Sequence, residues 1–146
     1  MQRSKKSDNP GQVKPAIRFP VFVPMHEEVV IELIDVESPR QRKRALITFC
    51  NNVEALVSVV HSSQYEDNKL NAVVILAKIV NKLTNEDALT FVALYSQDLS
   101  ARLTAVEKLK DSYDALVIVS EQSEYSETRM LAKQMLIAHG PGRKAN

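Results

Sequence analysis

From residue 26 to residue 138 apolar positions recur at three- and four-residue intervals, the spacing of one face of an α-helix. The pattern predicts helices over 26–36, 39–50, 52–61, 66–83, 85–95, 99–110, 112–120 and 126–138. It also repeats. Val29-Val30, Ala55-Leu56, Ala88-Leu89 and Ala115-Leu116 each open a first helix just after an acidic residue: Glu28, Glu54, Asp87 or Asp114. A second helix follows each, marked by a cation three residues before an alanine: Arg42/Ala45, Lys69/Ala72, Arg102/Ala105 and Arg129/Ala132. The markers within a unit are 16 residues apart in the first unit and 17 in the other three. Successive second-helix alanines are separated by 27, 33 and 27 residues. Such regularity predicts an all-α chain of four helical hairpins, with units 26–51, 52–84, 85–111 and 112–139. One short hairpin cannot bury its apolar stripe alone, whereas stacked hairpins merge their stripes into an elongated core.

Helix-start signals agree with this phase. Ser38-Pro39 reads as an N-cap followed by Pro at the first helical position, where its missing N–H costs nothing. Ser63 to Glu66 and Thr84 to Asp87 have capping-box spacing, and Gly140-Pro141 closes the last helix. The six extra residues of the second unit fall between Ala72 and Ala88 and continue the apolar pattern, which predicts a longer second helix there.

The ends differ from the body. Residues 1–25 hold four of the six prolines, and Ile17, Phe19, Val21, Phe22 and Val23 form an apolar stretch broken by Pro20. Pro fixes φ and removes a donor, so this stretch reads as an extended arm placed to cover the first hairpin. Arg3, Lys5, Lys6, Lys14 and Arg18 face a single carboxylate, Asp8, within the first 18 residues. Residues 140–146 form a short tail carrying Arg143 and Lys144, while 19–138 hold 12 basic and 17 acidic residues. A mildly acidic body thus has basic ends. Arg40, Arg42, Lys43 and Arg44 add four cations in five positions on the second predicted helix.

Composition narrows the chemistry. Three glycines leave no phosphate-cradling loop in the body, and one cysteine excludes an intrachain disulfide or a multi-Cys zinc site. Cys50 and the dispersed His26, His61 and His139 lack any catalytic or metal-binding spacing. Carboxylate pairs such as Glu27/Glu28, Glu86/Asp87 and Asp111/Asp114 stand at helix starts, where the macrodipole accounts for them. No catalytic residue, metal or cofactor is expected. No apolar run reaches the length of a membrane span, so the expected location is the cytoplasm.

Asp98-Leu99-Ser100-Ala101-Arg102-Leu103-Thr104-Ala105-Val106-Glu107-Lys108-Leu109 resembles the second helix of a HEAT-type repeat, with an Asp before the helix and Arg, Ala-Val and Leu within it. Tyr125 to Leu136 is a weaker copy. The units are shorter than those of large HEAT scaffolds and look more like the compact repeats of small prokaryotic proteins and phycobilin-lyase relatives. The resemblance implies a short right-handed α-solenoid with a concave face, a protein-binding scaffold without catalytic residues. Phe19, Phe22 and the equally phased Tyr65 and Tyr125 are the candidate protein contacts, although both tyrosines could instead staple a helix–helix turn. Arg102 and Arg129, equivalent in phase, are expected to pair with acidic residues such as Asp98 or Glu127. The alternative partner is RNA or a ribonucleoprotein, with phosphates bound by Arg3, Lys5, Lys6, Lys14, Arg18, Arg40, Arg42, Lys43, Arg44, Arg143 and Lys144.

Overall fold

Eight α-helices and one short 3₁₀ turn account for the regular structure of residues 27–138, the part of the chain that the computed structural model describes. The helices are α1 (Glu27–Ile34), α2 (Pro39–Ile47), α3 (Val53–Ser62), α4 (Glu66–Lys78), α5 (Glu86–Tyr95), α6 (Leu99–Lys108), α7 (Tyr113–Gln122) and α8 (Ser126–Ala138). The 3₁₀ turn, Val80–Lys82, follows α4, and no strand occurs among the described residues. The arm, the basic tail, His26, His139 and the Gly140-Pro141 stop signal lie outside the described residues.

Local chemistry sets most helix starts. Asn52 Oδ1 accepts the N–H of Ala55 at 3.0 Å, and Asn85 Oδ1 accepts that of Ala88 at 2.9 Å. Ser38 caps α2 through the Gln41 N–H, and Pro39 follows it as the spacing predicts. Two caps differ from the expectation. Ser63 closes α3 rather than opening α4, because its hydroxyl is drawn to the Asp35 carboxylate at 2.6 Å, and Tyr65 takes the N-cap position. Thr84 yields to Asn85, which satisfies a first-turn donor from one residue further on. The extra residues of the second unit are also divided differently. The α-helix ends at Lys78, Ile79 leaves helical geometry, and the remainder tightens into the 3₁₀ turn. Val80 and Leu83 are buried, so the tightened turn keeps the apolar positions of this stretch in the core.

Each odd-numbered helix packs on the even-numbered helix that follows it. Odd helices also touch in chain order, α1 to α3 to α5 to α7, and even helices do the same, α2 to α4 to α6 to α8. One continuous core results. Ile34, Leu46, Leu56, Val59, Leu76, Val92, Val106 and Leu116 are sealed within it. Ala72, Ala105 and Ala132 are fully buried, which lets the even helices approach closely. Ala45 is only half-buried and Val29 is 43% exposed, because no described helix covers the outer side of the first unit.

Leu56→Ala should lower unfolding free energy by about 2–5 kcal/mol and Asn85→Ala by about 1 kcal/mol, read from urea denaturation. Val29→Ala should cost far less, and equal losses at Val29 and Leu56 would contradict this core.

Candidate interaction surface

The turns between paired helices share a seven-residue frame ending in the marker cation. It runs 36–42 in the first unit, then 63–69, 96–102 and 123–129. In three of the four, the arginine at the seventh position reaches back to the carbonyl at the first. Arg42 Nη1 donates to Val36 O at 3.0 Å, Arg102 Nη1 to Ser96 O at 2.8 Å, and Arg129 Nη1 to Ser123 O at 2.8 Å. These bonds satisfy carbonyls at the end of the preceding helix, where the macrodipole also favours a cation.

Arg42 and Arg102 go further and join their unit to the next. The Arg42 guanidinium lies 3.8 Å from the centre of the Tyr65 ring, and its Nε and Nη2 donate to the two carboxylate oxygens of Asp67 at 3.1 and 2.9 Å. The Arg102 guanidinium lies 3.5 Å from the centre of the Tyr125 ring, donates to Thr128 Oγ1 at 3.0 Å, and faces Glu127 at 3.8 Å. Ring and carboxylate stand at the third and fifth positions of the following frame in both cases. Each junction is a clasp in which a flat cation is stacked on one face and bonded at its edge. The Arg42 hydrogen bonds hold the Asp67 carboxyl below its ordinary value of 3.8, partly offset by desolvation.

The cationic run on α2 is therefore split. Arg42 is buried and its guanidinium is committed to the clasp, so it offers nothing to a phosphate. Helical geometry explains the split, because Arg42 lies one turn before the buried Leu46. Arg40, Lys43 and Arg44 are exposed and make no ion pair among the described residues. Tyr65 and Tyr125 are half-buried under arginines, in the stapling arrangement rather than as open contact residues. Phe19, Phe22, Arg3, Lys5, Lys6, Lys14, Arg18, Arg143 and Lys144 lie outside the described residues.

The junction between the second and third units is built differently. Lys69 replaces the arginine, and Asp98 stands where the other junctions place a tyrosine. No ion pair joins the two, since Asp98 Oδ1 instead accepts the Ser100 N–H at 3.1 Å as the N-cap of α6. Without a clasp, a groove of about 320 Å³ opens where α3, α4 and α5 meet. Val60, Leu70, Val73, Phe91 and Tyr95 give it an apolar floor and wall. His61, Glu66 and Lys69 form its polar rim. Phe91 and Tyr95 stack with ring centres 6.2 Å apart, while Leu70 and Tyr95 stay nearly half exposed.

No family model, curated protein or solved structure matches this chain.

Cys50 is half-buried in the turn after α2, and His61 Nδ1 faces the Glu27 carboxylate at 3.0 Å. Among the described residues no three His, Cys, Asp or Glu side chains gather as a metal would require, and no helix is long and apolar enough to cross a membrane. Asp67, Thr128, Leu70 and the Phe91–Tyr95 pair are residues of the clasps and the groove that the pattern of the chain did not single out. One signal for the clasp was present: Arg42 and Tyr65 are 23 residues apart, as are Arg102 and Tyr125.

Because the Asp67 pKa is lowered on folding, the clasp contributes stability above the unfolded value near 3.8, lost as pH falls through the folded value. Asp67→Asn should lower the urea midpoint at pH 7 and flatten its decline below pH about 4. An unchanged acid limb would show that the pair contributes nothing.

Proposed function

We propose that the chain is a short, right-handed, HEAT-like α-solenoid acting in the cytoplasm as a non-enzymatic protein-binding scaffold. The ordered contacts of odd with odd and even with even helices support the architecture, as does the recurrence of the seven-residue frame. The groove at the unclasped junction carries the functional reading. It holds apolar and aromatic side chains open to solvent at the centre of the chain, with a polar rim to orient a partner. Covering Leu70 and the exposed half of Tyr95 would return about 25 cal/mol for each Å² of apolar surface removed from water. Rigid aromatic side chains in such a setting are favoured anchors of protein interfaces.

The exposed Arg40, Lys43 and Arg44 define the competing reading, binding to the phosphates of RNA or a ribonucleoprotein. Loss of Arg42 to the clasp weakens it, and Lys69 is the one Lys or Arg side chain that lines the groove.

A pull-down from native lysate at moderate salt, with and without nuclease, separates the two. Leu70→Glu/Tyr95→Ala should reduce the nuclease-resistant partner at least tenfold, whereas Arg40→Gln/Lys43→Gln/Arg44→Gln should leave it unchanged. Capture that nuclease abolishes, and that only the triple variant removes, would replace the scaffold reading with phosphate binding.

A further inference from the structure

Arg129 has half of a clasp. Its Nη1 holds the Ser123 carbonyl just as Arg42 and Arg102 hold theirs, so its guanidinium is set in the same frame. Among the described residues, however, no aromatic ring covers it and no carboxylate lies within ion-pairing distance. Next to it in sequence on α8, Met130 is 61% exposed, while Leu131 and Met135 pack against the core. Among the described residues, the fourth unit thus presents an arginine whose stacking face is uncovered.

We infer that this end of the domain docks a second protein through a Tyr-x-(Asp/Glu) step at the start of a helix, its ring stacked on Arg129 and its carboxylate paired with the guanidinium edge. Two internal examples define that chemistry. Tyr65-Glu66-Asp67 and Tyr125-Ser126-Glu127 each place the tyrosine just before a helix and the carboxylate at its second residue. A carboxylate there is also favoured by the helix macrodipole. The identity of the cation matters too. Where the seventh position is Lys69, the next frame offers Asp98 and no ring, so the ring goes with arginine.

Within residues 1–146 no Tyr-x-(Asp/Glu) step stands outside the two clasps. At the corresponding positions a second copy would bring Ser38, which has no ring, and Arg40, which has the same charge as Arg129. Tyr95 and Tyr113 are followed two residues later by Gln97 and Ala115, and residues 1–26 and 139–146 contain no tyrosine. None of these brings a ring followed two residues later by a carboxylate, and the occupant we infer is another protein. The inference rests on the scaffold reading but uses a surface separate from the groove.

A display library of helix-forming 20-residue peptides, selected against the full chain tethered at its N-terminus, tests it. Selected peptides should be enriched in Tyr-x-(Asp/Glu) near their N-termini. Their affinity should fall at least tenfold for Arg129→Gln and for Arg129→Lys, and should not change for Leu70→Glu/Tyr95→Ala. Lysine keeps the charge and can still donate to the Ser123 carbonyl, but it lacks the flat face and fork. A loss in Arg129→Lys with an unaltered helical circular dichroism spectrum therefore reports the stack and not the fold. Peptides lacking the motif, or indifferent to Arg129→Lys, would overturn the inference. Peptides lost only with the groove variant would overturn it while leaving the scaffold reading intact, and a library yielding no binder would count against both.

Discussion

A guanidinium can be withdrawn from water only if its edge finds acceptors and its faces find something polarisable, since the desolvation of an unpaired charge is otherwise prohibitive. The side chains of Arg42 and Arg102 are 8% and 5% exposed, and both meet that condition with atoms from two adjacent units. The carbonyl comes from the turn before the arginine's own helix, and the ring and acceptor oxygens come from the turn of the next unit. A buried ion pair adds little net stability compared with apolar packing of the same volume. Its geometric demand is strict, however, and it couples the register of one hairpin to that of its neighbour. The apolar core holds the helices together, and the clasps tie the first hairpin to the second and the third to the fourth.

That division of labour explains why the middle of the molecule is open. Six added residues separate the second and third units, part of them tightened into a 3₁₀ turn after α4. Lys108 Nζ donates to the Asn81 carbonyl at 2.8 Å and so ties that turn to α6. On the opposite edge, Lys69 and Asp98 give no stacked clasp, and Phe91, Tyr95 and Leu70 are left around a groove. The first and second units are drawn together through Arg42, and the third and fourth through Arg102. Among the described residues, the departures from the repeat, at the central junction and at Arg129, are where apolar surface and a guanidinium face are left uncovered.

Much of this architecture was legible along the chain. Eight helices stand within a few residues of the spans that the apolar spacing predicts, because helical periodicity is written in residues three and four apart. The alanines of the second helices mark close approaches in the core, and Ala72, Ala105 and Ala132 are fully buried. Asn52 and Asn85 needed only local geometry to act as caps, whereas Ser63 was misread because its true partner, Asp35, lies 28 residues away. The run from Arg40 to Arg44 reads as one basic patch by composition, although the helical phase of Arg42 with Leu46 separates it from the others.

By itself the sequence determined the all-helical class and the approximate spans of the helices among the described residues. Only the tertiary structure decided that Tyr65 and Tyr125 cover arginines, that Asp67 and Glu127 face the same cations, and that α3, α4 and α5 part to form a groove. The physical reason is separation along the chain. Periodicity and capping act within a turn or two of helix, but a stacked guanidinium joins residues 23 positions apart, and its partner is settled only when one hairpin has packed on the next.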